Sequence, residues 1–406
     1  MPRLMVVRQM SQRPDATRRR DVRILLASRT TRAFAFGFSI ILLGLYLEDR
    51  HLSALEIGVV LAIGLAAASL TGLLAAAAAS RFGRRWTLSV IGVLMAISGV
   101  DTAFATHFWL LALAGTTGML GASGTDNGPF LSIEQAVLTE VSSAPGRNRA
   151  FGRYSLTGAL AGAAGGLLAT AADDLARTQA LYILYAGLGV VTAVLPLFLS
   201  AGVEGEPEAP VFGNIRPLIG LSALFAVDSF GGGLIARSLI VYWLHIRFGA
   251  TPAILGPSFA AMMLLGALCF ELSGRLADRF GLINTMVFTH LPSNVMLIAL
   301  PFLPSLVWAL SLLIIWSALE SMDIPARQAY VVSIVKPSER SGAVAITGAA
   351  RGLAQAVGPV ISGAAIQGAA LGIPFILAGT VKAAYDLALY RGFRRRLGEH
   401  EVRAPQ

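Results

Sequence analysis

Charged residues are scarce in this chain. They make up 14% of its 406 residues, whereas hydrophobic residues make up 55%, and the mean hydropathy is +0.69. A soluble domain of this length needs far more charge to cover its surface. The scarcity of charge therefore excludes an ordinary soluble fold and indicates that many apolar side chains face lipid.

Cysteine is nearly absent, because Cys269 is the single one, so an intrachain disulfide is excluded. No Cys or His pair stands at metal-ligand spacing, and we predict neither a metal site nor a cofactor. The phosphate-binding pattern Gly-x-x-x-x-Gly-Lys-Ser/Thr is also missing, which excludes direct ATP drive within this chain. No nucleophile–base arrangement stands out, so we predict that the protein is not an enzyme.

Lysine is scarce as well, since only Lys336 and Lys382 accompany the many arginines. The formal net charge is +9, but the positive residues lie in connections between apolar runs rather than on one polar surface. This placement argues against nucleic-acid binding and follows the positive-inside rule. Basic connections alternate with connections of little positive charge. We therefore predict that both chain termini are cytoplasmic.

Long apolar runs fill the rest of the chain. There are about twelve, each close to the roughly 20 residues that a helix needs to cross a bilayer. The predicted fold class is an all-α integral membrane protein whose transmembrane helices form two pseudo-symmetric six-helix bundles. The predicted organisation is a basic cytoplasmic tail at 1–23, an N-terminal bundle at 24–200, a cytoplasmic linker at 201–216, a C-terminal bundle at 217–390 and a second basic cytoplasmic tail at 391–406.

Two charged hinges between apolar runs reveal a repeat. Residues 274–281 read Gly-Arg-Leu-Ala-Asp-Arg-Phe-Gly, and residues 80–85 read Ser-Arg-Phe-Gly-Arg-Arg. A charged turn repeated at half the chain length is typical of a duplicated membrane protein. The fifth apolar run adds small residues on one helical face, which allow close helix–helix approach. These are Gly158, Gly162, Gly165 and Gly166.

On these residues the chain resembles the major facilitator superfamily, in particular its twelve-helix drug/proton antiporter-like exporters. The hinge at 274–281 resembles the family's loop signature between the second and third helices of each half, and 81–85 resembles the end of that signature. Gly358-Pro359 is similar to the glycine–proline motif of the exporters. The resemblance implies alternating access, a small-molecule substrate and a monomer in the lipid bilayer of a bacterial plasma membrane.

The resemblance also implies a cytoplasmic gate at the two hinges, which would latch the halves together when the protein opens outward. Asp278 would then face the start of the fifth helix near Arg149 and Arg153. The alternative is a loop whose charge only sets orientation. The hinge residues assigned to the gate are Gly274, Arg275, Asp278, Arg279, Gly281, Arg81, Gly83, Arg84 and Arg85.

Two more residues are predicted to form a gate. Glu134 and Arg327 occupy equivalent positions in the two repeats. The helices that carry them are predicted to meet near the cytoplasmic end of the central cavity. A Glu134–Arg327 ion pair would close that end.

Ionisable residues inside the apolar runs are functional candidates, because charge is costly within a bilayer. Asp228 stands near the middle of the seventh run, just before the glycines at 231–233, which would loosen that helix. A buried carboxyl there would couple transport to protons or contact substrate. The alternative is a structural ion pair with an arginine.

Further candidates lie in the first, fourth, tenth and eleventh runs. Asp126, and Glu320 with Asp323 on one helical face, would bind a cation or relay protons, or else neutralise arginines of the first run. Arg32 and Arg351 would attract an anionic substrate or balance the acids. His290 is predicted to be a packed polar residue in a peripheral helix. The arginines of the first run are Arg29 and Arg32.

These features together predict a secondary active transporter that moves a small solute by alternating access. The leading form is proton-coupled export of a drug-like or toxic small molecule, to which the glycine–proline motif and the hinge point. One alternative is proton-coupled uptake of a small metabolite. Another, from a different class, is a non-transporting membrane receptor or assembly protein on a transporter scaffold.

Overall fold

The structure, a computed structural model, describes residues 15–121, 129–142, 147–204, 216–333 and 340–393. Within these ranges the chain forms helices and turns and contains no strand. The predicted all-α fold class is therefore confirmed. In the described part, nine helical segments are long and apolar enough to cross a membrane.

Within the described residues the N-terminal half contains seven α-helices, and α4 and α5 both belong to the fourth apolar run of the sequence. Its helices are α1 (Asp15–Asp49), α2 (Ala54–Phe82), α3 (Arg84–Phe104), α4 (Phe108–Thr116), α5 (Pro129–Val141), α6 (Arg147–Leu168) and α7 (Leu175–Val194).

The C-terminal half also contains seven α-helices within the described residues, and its first span is in two pieces, α8 and α9. Its helices are α8 (Arg216–Leu234), α9 (Arg237–Phe248), α10 (Pro252–Phe280), α11 (Leu282–Ala299), α12 (Leu306–Ser333), α13 (Arg340–Gln367) and α14 (Ile373–Phe393).

The first helix is longer than predicted, because α1 begins at Asp15 inside the segment assigned to the N-terminal tail. One anchor is Asp21, which is fully buried. Its carboxylate accepts hydrogen bonds from the backbone N–H of Ser200 at 2.9 Å and from the Ser200 hydroxyl at 2.6 Å. Similarly, α14 extends to Phe393, beyond the predicted boundary at 390.

The two hinges have the same backbone conformation. Gly83 separates α2 from α3 with φ of 92°, and Gly281 separates α10 from α11 with φ of 86°. A residue with a side chain is strained at such positive φ angles, which explains glycine at both turns. The repeat seen in the sequence therefore corresponds to a repeated turn in the structure.

The seventh span is broken directly after its glycines, where the sequence predicted a loosened helix. Helix α8 ends at Leu234, directly after the glycines at 231–233, and α9 starts at Arg237. The Ser362 hydroxyl of α13 donates a 2.7 Å hydrogen bond to the Leu234 carbonyl. A polar partner on a neighbouring helix thus satisfies a carbonyl that the break frees.

The two halves meet along a seam of small residues near one end of the molecule. We call this the distal end, and the end where α1 begins and α14 finishes the terminal end. A Cβ added to Gly58 of α2 would lie 2.3 Å from the carbonyl oxygen of Pro359 on α13. One added to Gly256 of α10 would lie 2.6 Å from the carbonyl oxygen of Gly166 on α6. Backbone therefore meets backbone across the seam.

Polar contacts also cross the seam at the distal end. The backbone N–H of Leu55 on α2 donates to the side-chain oxygen of Gln367 on α13 at 3.1 Å. The Nε2 atom of His245 on α9 lies 3.6 Å from a carboxylate oxygen of Glu48 on α1. The distal end is thus held together by both backbone packing and polar pairs.

Candidate functional site

Among the described residues, most of the fully buried ionisable side chains belong to two clusters, one in each half. The N cluster consists of Ser28, Arg32, Glu134 and Tyr154. The C cluster consists of Asp228, His290, Asp323, Arg327, Lys382 and Asp386. Each of these side chains is buried, with at most 8% of its surface exposed.

The N cluster is built around one bidentate ion pair. Arg32 donates through Nη1 to Oε1 of Glu134 at 2.7 Å and through Nη2 to Oε2 at 2.8 Å. Ser28 and Tyr154 donate further hydrogen bonds to the same carboxylate at 2.9 Å and 2.6 Å. The Phe130 ring lies 4.0 Å from the guanidinium carbon of Arg32. One acid and one base thus satisfy each other within the N-terminal half.

The predicted Glu134–Arg327 gate is not formed, because Glu134 pairs with Arg32. The two predicted partners lie in different halves, and the seam between the halves is at the distal end. Both Arg32 and Glu134 are fully buried between helices of their own half. A pair made within one half does not require the halves to approach.

The C cluster centres on Asp228 of α8. Its Oδ1 atom accepts a 2.8 Å hydrogen bond from Nζ of Lys382 on α14, and its Oδ2 atom accepts one of 3.2 Å from Nη1 of Arg327 on α12. The same Nη1 donates to Oδ2 of Asp323, one helical turn away, at 2.5 Å. Asp228 is therefore held by two cations from two other helices.

A histidine extends this cluster away from Asp228. Nε2 of His290 on α11 lies 3.8 Å from Oδ1 of Asp228, while its Nδ1 lies 3.0 Å from Oδ1 of Asp386 on α14. Asn294, one turn along α11, donates to Oδ2 of Asp386 at 2.8 Å. The imidazole therefore lies between two carboxylates on different helices.

The sequence prediction did not assign Lys382, Asp386 or His290 to a functional site. The signal was present: Lys382 and Asp386 are one helical turn apart inside an apolar run, and Lys382 is one of only two lysines in the chain. Two charges four residues apart on one face of a spanning helix indicate a buried polar surface. His290 was not assigned to a site because its helix, α11, was predicted to be peripheral.

The acids of the tenth span do not neutralise the arginines of the first span. Asp323 pairs with Arg327, and Glu320 is only partly buried. Arg32 pairs with Glu134, and the guanidinium of Arg29 lies 5.0 Å from the ring centre of Tyr154. Each half thus carries its own charge balance. Asp126 lies outside the described residues.

Arg351 of α13 differs from the other buried arginines. Its Nε donates to the Ser229 hydroxyl of α8 at 3.0 Å, and the residue is partly exposed. Within the described ranges, no carboxylate lies at ion-pair distance from it. Among the described residues, this cation therefore lies beside the C cluster without a direct counter-charge.

The hinge of the N-terminal half is anchored within its own half. Nη1 of Arg84 lies 2.6 Å from a carboxylate oxygen of Glu140 on α5. Glu204, just after α7, accepts hydrogen bonds from the backbone N–H groups of Arg84 and Arg85 at 2.5 Å and 3.2 Å. Arg81 lies over the ring of Phe82 at 5.3 Å. The first residues of the predicted linker thus cap the start of α3.

The hinge of the C-terminal half is exposed instead. Arg275 lies 3.4 Å from Glu271 one turn earlier, and these side chains are 74% and 78% exposed. Gly274 has open space around it, and Arg279 lies over the ring of Phe280 at 5.3 Å. Asp278 is also exposed, and in the described part it forms no ion pair with Arg149 or Arg153.

The glycine face of the fifth span packs against both halves. A Cβ on Gly165 would lie 2.0 Å from the Phe34 carbonyl oxygen of α1, and one on Gly158 would meet the Arg29 side chain. Gly162 faces Met263 of α10, and Gly166 belongs to the seam. These glycines allow α6 to lie close to α1 and α10 together.

The glycine–proline motif lies at the junction of three helices. A Cβ on Gly358 of α13 would lie 2.2 Å from the backbone of Gly233, at the break of the seventh span. The Pro359 carbonyl faces Gly58 of α2, in the other half. The motif therefore connects the broken span to the seam.

An all-helical membrane protein of two repeated bundles, with broken spans and buried charges, has the architecture of a secondary transporter. A family model described as Major Facilitator Superfamily matches residues 25–322. The chain belongs to the major facilitator superfamily, and it is a multi-pass membrane transporter rather than an enzyme.

Relatives agree with this assignment. The uncharacterized membrane protein YJR124C of Saccharomyces cerevisiae is 25% identical over 420 residues, covering 91% of this chain and 93% of the relative. The crystal structure of nucleoside transporter NupG matches with a TM-score of 0.71 at 14% identity, covering 93% of this chain and 100% of that chain. The inward open conformation of the xylose transporter XylE from E. coli gives 0.71 at 15% identity, covering 91% and 95%. Identities this low show the fold alone.

Proposed function

We propose that this protein is a monomeric, proton-coupled secondary transporter that exports a drug-like or toxic small molecule by alternating access. Both chain termini lie in the cytoplasm. The observation that carries the proposal is the position of Asp228. It binds Lys382 and Arg327 and lies near His290, in a span that breaks six residues later.

Stability alone does not explain why the charges of the C cluster are buried in the membrane-spanning part of the protein. Removing charges from water is costly, and a buried ion pair is often replaced by apolar side chains without loss of stability. Ionisable groups inside membrane spans mark pathways for ions, protons or substrates. The C cluster brings six such groups together from α8, α11, α12 and α14. A cluster of this size supports a proton-coupled function.

The break in the seventh span provides the mechanical link. Asp228 lies on α8, while α9 belongs to the seam, where a Cβ on Gly44 of α1 would lie 3.0 Å from the Cβ of Tyr242. A short non-helical segment absorbs changes in φ and ψ. A change of charge in the C cluster can therefore move α8 while α9 remains in contact with α1.

The conformation of the seam supports alternating access. The contacts between halves described above lie at the distal end, so with cytoplasmic termini the structure corresponds to an inward-facing state. Asp278 is exposed in this state. Its proposed latch to the start of α6 would form only when the terminal end closes, in the outward-facing state.

Export is supported by the glycine–proline motif, which resembles that of exporters in the superfamily. Gly358 lies against the break of the seventh span and Pro359 against the seam. We propose that Arg351 and Glu320 contact the solute, since both are partly exposed beside the C cluster. A solute with both polar and ionised groups suits this pair of opposite charges.

Transport in proteoliposomes with an imposed pH gradient tests the proposal. The screen compares cationic, anionic and neutral solutes on the wild type and on Asp228→Asn. Asp173→Asn is the matched control, because Asp173 is an exposed carboxylate in the connection before α7, where it pairs with Arg177. We expect gradient-driven flux in the wild type and the control and its loss in Asp228→Asn.

Three results would contradict the proposal. Flux that is independent of the gradient and survives Asp228→Asn would exclude proton coupling through this cluster. Solute movement in the same direction as protons would replace export by uptake. Absence of flux for every solute class would favour the receptor or assembly role.

A further inference from the structure

We infer that the transported proton is carried by the His290–Asp386 pair, behind Asp228, rather than by Asp228 itself. The inference deepens the proposed function and rests on it, because it names the groups that bind the proton in the C cluster. Both residues are almost fully buried, at 2% and 1% exposure.

Asp228 is poorly placed to exchange a proton. Each of its oxygens accepts a hydrogen bond from a cation, Lys382 at 2.8 Å and Arg327 at 3.2 Å. Neutralising Asp228 would leave the ammonium of Lys382 buried without a carboxylate bonded to it. A buried charge that loses its partner is strongly destabilising. The geometry thus favours a permanent carboxylate at this position.

Asp386 has a different set of partners. Among the described residues, its hydrogen-bond partners are the His290 imidazole at 3.0 Å and the neutral Asn294 amide at 2.8 Å. Lys382 is one turn away on the same helix, but its Nζ bonds to Asp228. A proton can therefore join or leave the His290–Asp386 pair without breaking a fixed ion pair.

The orientation of His290 transmits its charge to Asp228. With Nδ1–H directed at Asp386, a neutral imidazole presents an unprotonated Nε2 to the carboxylate of Asp228, 3.8 Å away. An imidazolium presents an N–H to each carboxylate. Protonation of His290 thus changes a repulsive contact between α11 and α8 into an attractive one.

The surroundings of the imidazole contain both signs of charge. Asp228 faces it from α8, and α14 contributes Asp386, Lys382 and Tyr385, whose ring centre lies 6.1 Å from that of His290. Arg327 of α12 reaches Asp228 from the other side. The proton site therefore lies between α11 and α14, and Arg351 and Glu320 are left for the solute.

Nuclear magnetic resonance of protein labelled with ¹⁵N-histidine in lipid bilayers tests this inference without a solute. The chain has five histidines, so the spectrum is simple, and His290→Gln assigns the His290 signals by their absence. We expect these signals to change from neutral imidazole to imidazolium as the pH is lowered. Asp386→Asn should shift the midpoint of this change, because it removes the carboxylate bonded to Nδ1.

Thr289→Val is the matched control. Thr289 is buried on the same helix, but its hydroxyl donates a hydrogen bond to the backbone carbonyl of Thr285, one turn earlier. This substitution should leave the midpoint unchanged. His290 signals that keep one charge state at every pH, or a midpoint unaffected by Asp386→Asn, would overturn the inference. Either result would leave the proposed transport function intact.

Transport supplies the second readout. For a solute that the wild type moves against its gradient, His290→Gln should lose this uphill movement and retain solute exchange in the absence of a pH gradient. Retained uphill movement would overturn the inference. Loss of both activities in protein that elutes as a folded monomer would overturn it too, since His290 would then be needed for more than protons.

Discussion

The two halves of this duplicated chain bury their charges in different ways. In the N cluster one arginine and one glutamate satisfy each other through two parallel hydrogen bonds. In the C cluster Asp228 is shared between two cations, and a histidine joins it to Asp386. A shared cluster that contains an imidazole can adopt several charge states. We propose that duplication left the N-terminal half with a fixed structural ion pair and the C-terminal half with a site that can change its charge.

The same contrast appears in the hinges. The first is fixed by Arg84–Glu140 and by Glu204, while the second is exposed around Asp278. The half with the rigid cluster therefore also has the anchored hinge. We infer that the C-terminal half is the part that responds to protons.

The largest effect is expected from breaking the Arg32–Glu134 ion pair of the N cluster. Glu134→Gln removes the carboxylate that is bonded to the buried Arg32 guanidinium through two hydrogen bonds, which should destabilise the protein by about 3–5 kcal/mol. Thermal unfolding of the purified protein in detergent measures this loss. The double variant Arg32→Met/Glu134→Leu should recover most of it, because it removes both charges. If Glu134→Gln unfolded at the same temperature as the wild type, the N cluster would not stabilise the fold.

A smaller effect is expected from the shared cluster. Lys382→Met should lower stability by only about 2 kcal/mol, because Asp228 keeps Arg327 as a partner. Gradient-driven transport should nevertheless be lost, since the charge balance around His290 changes. Unfolding and proteoliposome flux are measured on the same preparation. A stability loss as large as that of Glu134→Gln would remove the distinction between the two clusters.

The smallest effects are expected at the hinges. Arg84→Gln should lower stability by about 1 kcal/mol, because its pair with Glu140 is largely shielded from solvent. Arg275→Gln should have no measurable effect on unfolding, because its pair with Glu271 is exposed. Equal losses in the two variants would show that the second hinge is anchored as well.

The fold could be predicted from the sequence, because helices that face lipid are long, apolar and separated by charged turns. Arg32, Glu134, Asp228 and Arg327 could also be singled out one by one, since each is a charge within an apolar run. Their partners could not be predicted. Which acid meets which base depends on the rotation and packing of neighbouring helices, and neither is encoded in hydropathy.

His290 shows the same limit more clearly. In the sequence it is a single polar residue near a proline, and nothing in its neighbourhood indicates an acid. Its partners are on α8 and α14, separated from it by long stretches of chain. To predict that His290 and Asp386 lie together, one would have needed to know that α11, the ninth span, packs against α14, the twelfth span.

The seam at the distal end has a mechanical consequence. Where Gly58 meets Pro359 and Gly256 meets Gly166, backbone lies against backbone. At these two points we expect the halves to separate and rejoin without changes of side-chain rotamer. We therefore expect these backbone contacts to oppose the separation of the two halves only weakly. The free energy of opening would then be set by the charges elsewhere in the molecule.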